Sequence, residues 1–203
     1  MSVRNGTSSS QKPPEHHPRN AAETKKRILI AARTLFSQDI YKNVGTRSIA
    51  AAAGVNITLI NRYFGSKKKL FNEVVHSMGH SVLSSHGEQN LAREVMTELL
   101  AEDDNPRKEK LRLLLLSAMD PEVSDVVSEY FLRQKERRAR FMKGDDRDTR
   151  AFLGLASLVG ISLSFFLLPE ENRSQLDKNA IVRHFTKSLE ELYSKETEPD
   201  LQD

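Results

Sequence analysis

Between Ile28 and Leu192 the apolar residues recur at spacings of three and four, and nowhere do they alternate between turn signals as strand residues do. A chain patterned at the helical period buries its apolar stripes only by packing helix on helix, so the expected fold is all-α. Ile28, Ala31, Ala32, Leu35 and Phe36 form the first stripe, with Lys25, Lys26 and Arg33 at polar positions. Asn20 and Glu23 make a capping pair that would open this helix. Short helices are expected over 47–53 and 57–64, separated by Gly54. Ser66 would cap a fourth helix that turns Leu70, Phe71, Val74, Val75 and Met78 inward.

The later boundaries are marked as clearly. Gly87 reads as the end of a segment, and Leu91, Val95, Met96 and Leu99 mark the next helix. Asn105-Pro106 and Asp120-Pro121 each read as an N-cap followed by proline at the first helical position, opening 107–118 and 122–141. Gly144 and the charged run 145–148 break the chain. Two long helices over 149–168 and 174–194 follow, separated by Pro169. Residues 1–19, with three consecutive serines and Pro13-Pro14, read as a disordered tail, and 197–203 as a frayed end.

Composition narrows the chemistry. There is no cysteine, which excludes a disulfide framework, a thiolate metal site and a cysteine nucleophile, and which suits a reducing cytoplasm. The polar N-terminus lacks the apolar core of a secretory signal. Glu73, His76 and His80 fall on one helix face, but two imidazoles near a helix end read as hydrogen-bonded or solvent-facing groups, and no metal or cofactor is assigned. No nucleophile elbow, phosphate loop or paired-carboxylate signature is present, so an enzyme is not expected.

The net charge of +3 conceals an asymmetry. Residues 19–76 carry 11 Lys/Arg against 3 Asp/Glu, whereas 77–203 carry 18 against 24. The basic third suits a polyanion and the acidic remainder does not. The run Arg133, Lys135, Arg137, Arg138 and Arg140 is interrupted by Glu136 and reads as a solvated helix face. Arg4, Lys12 and Arg19 of the tail are placed to brush a DNA minor groove.

The basic third contains the most specific segment, 44–71. Ala51 to Ala53 are small enough for a close helix crossing, Gly54 supplies a sharp turn, and Val55 reads as a buried wedge between two helices. Asn56 would cap the third helix. Leu59 or Ile60 with Phe64 would pack inward, leaving Ile57, Thr58, Asn61 and Arg62 outward. That outer face places an amide, a hydroxyl and a guanidinium at base edges, with Thr58 or Ile57 available for thymine methyls. Tyr63 and Lys67 stand just beyond it, where a phenol and an ammonium reach phosphates, Arg47 is a further DNA-binding candidate, and the N-terminus at Lys67-Lys68-Lys69 adds amide donors.

These residues resemble the DNA-binding domain of the tetracycline-repressor (TetR) family. The resemblance runs from the helix at Arg27 to Phe36 through Thr46, Ile49-Ala50, Ala53-Gly54-Val55, Tyr63-Phe64, Ser66-Lys67 and Leu70. It implies that the third helix reads the major groove and that Thr46, Tyr63 and Lys67 touch phosphates. It also implies a DNA-binding domain over 20–80 and a helical regulatory and dimerisation domain over 81–196. Thr58-Leu59-Ile60-Asn61 stands where many members have Gly-Thr-Leu-Tyr, so Asn61 replaces a common aromatic.

Beyond residue 80 the resemblance is one of architecture. The last two long helices occupy the places of a four-helix dimer interface. Ala156, Gly160 and Ser164 form a small-residue stripe, and Leu176, Ala180, Ile181, Phe185, Leu189 and Leu192 an amphipathic one. Residues 151–168 carry no charge and reach the lower limit for a membrane span. Ser157, Ser162 and Ser164, with no one-sided cluster of cations, favour a buried interface helix, so no membrane partner is expected. The expected partners are double-stranded DNA bearing an inverted repeat, a second copy of the chain, and a small hydrophobic effector. Met96, Met119, Phe131, Phe141 and Phe165 are candidates to line the effector pocket, though all suit an ordinary core. The expected function is a cytoplasmic repressor released by that effector; the alternative is a DNA-binding protein of the same fold without one.

Overall fold

In the computed structural model, which describes residues 18–78, 87–102 and 105–194, every regular element among the described residues is helical. The all-α expectation holds. Helix α1 (Pro18–Gln38) begins two residues before Asn20, which therefore lies inside the helix instead of capping it. Proline suits a helix start, where its missing N–H would have no partner anyway. The rest of the expected tail, like the 80/81 boundary, His80 and the terminal 197–203, lies outside the described residues.

A 3₁₀ turn (Tyr41–Asn43), α2 (Thr46–Ala53), α3 (Ile57–Phe64) and α4 (Lys67–Ser77) follow. Ile28, Ala32 and Phe36 of α1 are buried with Ile49, Ile60, Leu70, Phe71, Val74 and Val75. Phe36 stacks on Tyr41, and the Phe71 ring meets both edge-on with centroids 5.2 and 5.3 Å away. Ala51 and Ala52 are exposed, so the close crossing rests on Ala50 and Ala53, and Val55 is half-buried. The α2 stripe is narrow because an eight-residue helix turns one side only toward α1.

This core does not close within the first four helices. Leu113 of α6 (Pro106–Ser117) and Val126 of α7 (Ser124–Ala139), with Val123 just before it, are buried in the same cluster. Arg33 of α1 pairs with Glu109 of α6 at 2.9 Å, and Lys68 of α4 with Asp125 of α7 at 2.7 Å. Asn105 caps α6 by accepting from the backbone N–H groups of Arg107 and Lys108, with Pro106 at the first position as expected. Asp120 does not open α7. Its side chain accepts from Glu122 N and its carbonyl from Ser124 N, forming a turn that delays the helix to Ser124.

Three further helices complete the chain with α5 (Gly87–Leu100), namely α8 (Arg147–Leu167), the short α9 (Glu170–Arg173) and α10 (Lys178–Ser194). Gly87 thus begins a helix rather than ending one. Asp177 accepts from Ala180 N at 3.0 Å, and this cap starts α10 four residues later than the pattern suggests. A second cluster joins α5, α8 and α10 through Met96, Leu100, Phe165, Val182, Phe185 and Leu189.

Arg150 is 3% exposed, and no local sequence pattern marks it. Its guanidinium donates to Asp146 at 2.8 Å, to the Leu192 carbonyl at 2.9 Å and to the Lys143 carbonyl, so its burial is compensated by acceptors from the loop before α8 and from α10. By length and composition α8 could cross a membrane, and 33% of its most apolar window is buried inside the subunit. The basic run on α7 is largely paired: Arg133 with Glu129, Lys135 with Asp148, and Arg138 with the Gln134 carbonyl.

Candidate nucleic-acid interface

The turn between α2 and α3 is fixed from both sides. Gly54 takes a left-handed conformation (φ 61°, ψ 43°). Its N–H donates to Ala51 O and the Val55 N–H to Ala50 O, the paired bonds that close a helix end on a glycine. Arg27 of α1 then takes up carbonyls around the turn. Its Nε and Nη2 donate to Ala53 O at 3.1 and 2.6 Å, and Nη2 also to Gly54 O at 2.8 Å. A guanidinium suits this position because it presents several donors in a rigid plane. No periodicity marks Arg27, since its partners are backbone atoms 26 and 27 residues away.

Asn56 caps α3. Its Oδ1 accepts from the Thr58 N–H at 2.9 Å and from the Thr58 hydroxyl at 2.8 Å. Ile60 and Phe64 anchor the helix in the core, Leu59 and Tyr63 are half-buried, and Ile57, Thr58, Asn61 and Arg62 are exposed. The inward choice between Leu59 and Ile60 falls to Ile60, which is 0% exposed. Thr46 is half-buried at the start of α2, with Arg47 exposed beside it. A short helix thus holds a mixed apolar, hydroxyl, amide and cationic face in solvent.

Lys67, expected at a phosphate, is engaged within the subunit. Its ammonium donates to the Tyr41 carbonyl at 2.6 Å and lies 3.9 Å from the Tyr41 ring centroid. Burial lowers its pKa, against the raising influence of Glu122 and Asp120. The same burial, with those two carboxylates, pushes the Tyr41 phenol up to about 12. Lys67 therefore joins the start of α4 to the 3₁₀ turn.

Two more contacts join α4 to the body. His76 Nδ1 lies 2.7 Å from the Asn72 carbonyl and Nε2 3.0 Å from Arg133 of α7. A carbonyl only accepts, so Nδ1 carries the proton and Nε2 accepts from the guanidinium. Glu73 is paired with Lys25 at 2.8 Å. No group of three or more His, Asp or Glu side chains placed to hold a metal occurs among the described residues. Lys110 of α6 donates to the Met78 carbonyl at the end of α4 and lies 4.4 Å from the Tyr130 ring of α7.

The residues expected in the dimer face divide. Gly160 and Ser164 are exposed and Ala156 half-buried, and a Cβ added at Gly160 meets nothing within 4 Å. Phe185 and Leu189 are instead buried within the subunit against Met96, Leu100 and Phe165, and Ile181 packs half-buried beside them. The stripe on α10 was real, but α5 covers it. The effector candidates are not brought together: Met96 and Phe165 belong to that same core, Phe131 is half-buried on α7, and Met119 is 92% exposed. Phe141 is also exposed. An open groove of 480 Å³ runs between α8 and α10, lined by Ser157, Ile161, Asp177, Ala180, Ile181, His184, Phe185 and Ser188.

Residues 28–74 match the family described as bacterial regulatory proteins, tetR family, and residues 88–192 match the tetracyclin repressor-like C-terminal domain. The chain belongs to the tetR family. This tetR-family chain is a DNA-binding transcriptional regulator. Its fold is shared with NalD, the secondary repressor of the MexAB-OprM multidrug efflux pump in Pseudomonas aeruginosa (TM-score 0.64, 17% identity, 83% of this chain and 95% of that one). GusR of Salmonella enterica is similar to the same degree (0.64, 17%, 91% and 100%). The multidrug binding protein EbrR, solved with malachite green, also shares the fold (0.58, 18%, 90% and 100%). At these identities the likeness is one of fold. No curated protein matches the sequence.

Proposed function

We propose that this tetR-family regulator is a cytoplasmic repressor that binds an inverted-repeat operator as a two-fold dimer. The observation that carries the reading is the outer face of α3, where Ile57, Thr58, Asn61 and Arg62 stand exposed on a helix locked by Arg27 and Asn56. A dimer joined through the open face of α8 and α10, at Ala156, Gly160 and Ser164, would set two such helices about 34 Å apart, one turn of DNA. The apolar length of α8 is read as this interface and not as a membrane span. Thr46, Arg47, Tyr63 and the exposed Lys69 are the proposed phosphate contacts, with Lys67 supporting them from behind.

Release by a small hydrophobic effector is the proposed regulation, supported by the description of EbrR as a multidrug binding protein. The effector would act through the α4 contacts to α6 and α7, with a coupling of about 1–3 kcal/mol between effector and operator. One observation favours the second reading, a regulator with no small-molecule effector: Met119 and Phe141 face solvent, and the α8–α10 groove is open.

Capture of genomic DNA fragments by the purified chain tests the operator reading. Enrichment of an inverted repeat, weakened steeply by salt and lost in Tyr63→Ala and Arg62→Ala, supports it. A folded dimer that enriches no sequence overturns it.

A further inference from the structure

We infer that the first turn of α3 recognises thymine by its C5-methyl group, through Ile57 with the Thr58 methyl beside it, and not by donating hydrogen bonds from Thr58 to a base. The inference rests on the proposed entry of α3 into a major groove and names what that helix reads there.

The hydrogen bonds at the cap remove the polar alternative. A threonine hydroxyl has one hydrogen to donate. In Thr58 that hydrogen goes to Asn56 Oδ1 at 2.8 Å, and the same oxygen holds the Thr58 N–H at 2.9 Å. Thr58 is left with no donor for guanine N7 or O6, adenine N7 or thymine O4. What it still presents to a base is a methyl group and an oxygen that can only accept. Asn56, its oxygen occupied twice, presents only N–H groups outward.

Ile57 supplies the apolar partner. It is 36% exposed at the first position of α3, while Ile60 and Phe64 on the inner side are buried. It is the single large aliphatic residue left exposed on this helix, and it takes no part in the core beneath. A branched side chain has few rotamers at χ1, so little freedom is lost when it docks. The major groove offers one apolar group among its base edges, the thymine C5-methyl.

The test uses the full chain. Bound duplexes are selected from a random pool, and each thymine of the selected half-site is then replaced singly by deoxyuridine, which lacks only the methyl. At one or two thymines per half-site, affinity should fall about four-fold for each methyl that is buried. Ile57→Ala should lose most of the discrimination between thymine and uridine sites, and Ile57→Val should still discriminate. Thr58→Val, which keeps the methyl and loses the hydroxyl, should bind better than Thr58→Ser, which does the reverse. Uridine tolerated at every position, a half-site without thymine, or discrimination undiminished in Ile57→Ala overturns the inference while leaving the operator reading intact. Failure to select any sequence overturns both.

Discussion

The ammonium of Lys67 donates to the carbonyl of Tyr41 at 2.6 Å and stands 3.9 Å from the centre of that residue's own ring. A cation expected at the DNA backbone is thus an internal strut between α4 and the 3₁₀ turn before α2. Lys67→Ala should lower stability by about 1 kcal/mol, since a partly exposed charge-assisted bond is worth less than a buried one. The salt slope of operator binding should stay unchanged in this variant. A slope reduced by about 1 would mean that Lys67 leaves Tyr41 for a phosphate when DNA binds.

Arg27 holds the carbonyls of Ala53 and Gly54, so Arg27→Ala leaves those acceptors without their charged donor. Urea unfolding should show a loss of about 1–3 kcal/mol. Operator affinity, measured where the variant is still fully folded, should fall as well because the angle between α2 and α3 is released. Arg27→Lys should recover part of the stability and less of the affinity, since one ammonium does not reproduce the planar fork.

Lys68 is tied to Asp125 on α7, whose carboxyl is held below the usual range by that hydrogen bond. Asp125→Asn should free the lysine for a phosphate. Operator binding should become tighter at low salt and its salt slope steeper by about 1, with the urea midpoint unchanged. An unaltered slope would show that Lys68 does not reach the DNA.

Lys110 has its pKa lowered by burial, and then by Arg107, to about 8. The unfolded chain holds that proton up to its ordinary pKa of 10.5, so between those values the unfolded state binds more protons and stability rises with pH. Tyr41 acts in the opposite sense. Its phenol ionises near 10 when unfolded and about 12 when folded, so the stability it confers below pH 10 is lost as pH climbs through 12. Unfolding measured from pH 7 to 12 should show a rise up to about pH 10 that Lys110→Met abolishes, and Tyr41→Phe should flatten the fall above it.

Gly160→Trp and Phe185→Ala separate the two kinds of residue on α8 and α10. Nothing within the subunit meets a side chain at Gly160, so this variant should fold normally and sediment as a monomer. Phe185 is 4% exposed, and its truncation should cost about 3–5 kcal/mol in unfolding experiments. A Gly160→Trp dimer would move the proposed interface elsewhere.

The local pattern determined most of the first four helices. Gly54, Asn56 and Ser66 act over one to five residues, so their effects could be read directly, and the inward set from Leu70 to Met78 followed from the helical period alone. The outer face of α3 was legible for the same reason. Tertiary structure decided which apolar stripe meets which. Periodicity gives a helix an inner face without naming the neighbour that covers it, and so Phe185 and Leu189 read as a dimer face until α5 was seen to lie on them. Long-range polar partners were equally hidden. The carbonyls that hold Arg27, Lys67 and Arg150 exist in every residue of the chain, and only the packed backbone brings particular ones within reach of a cation.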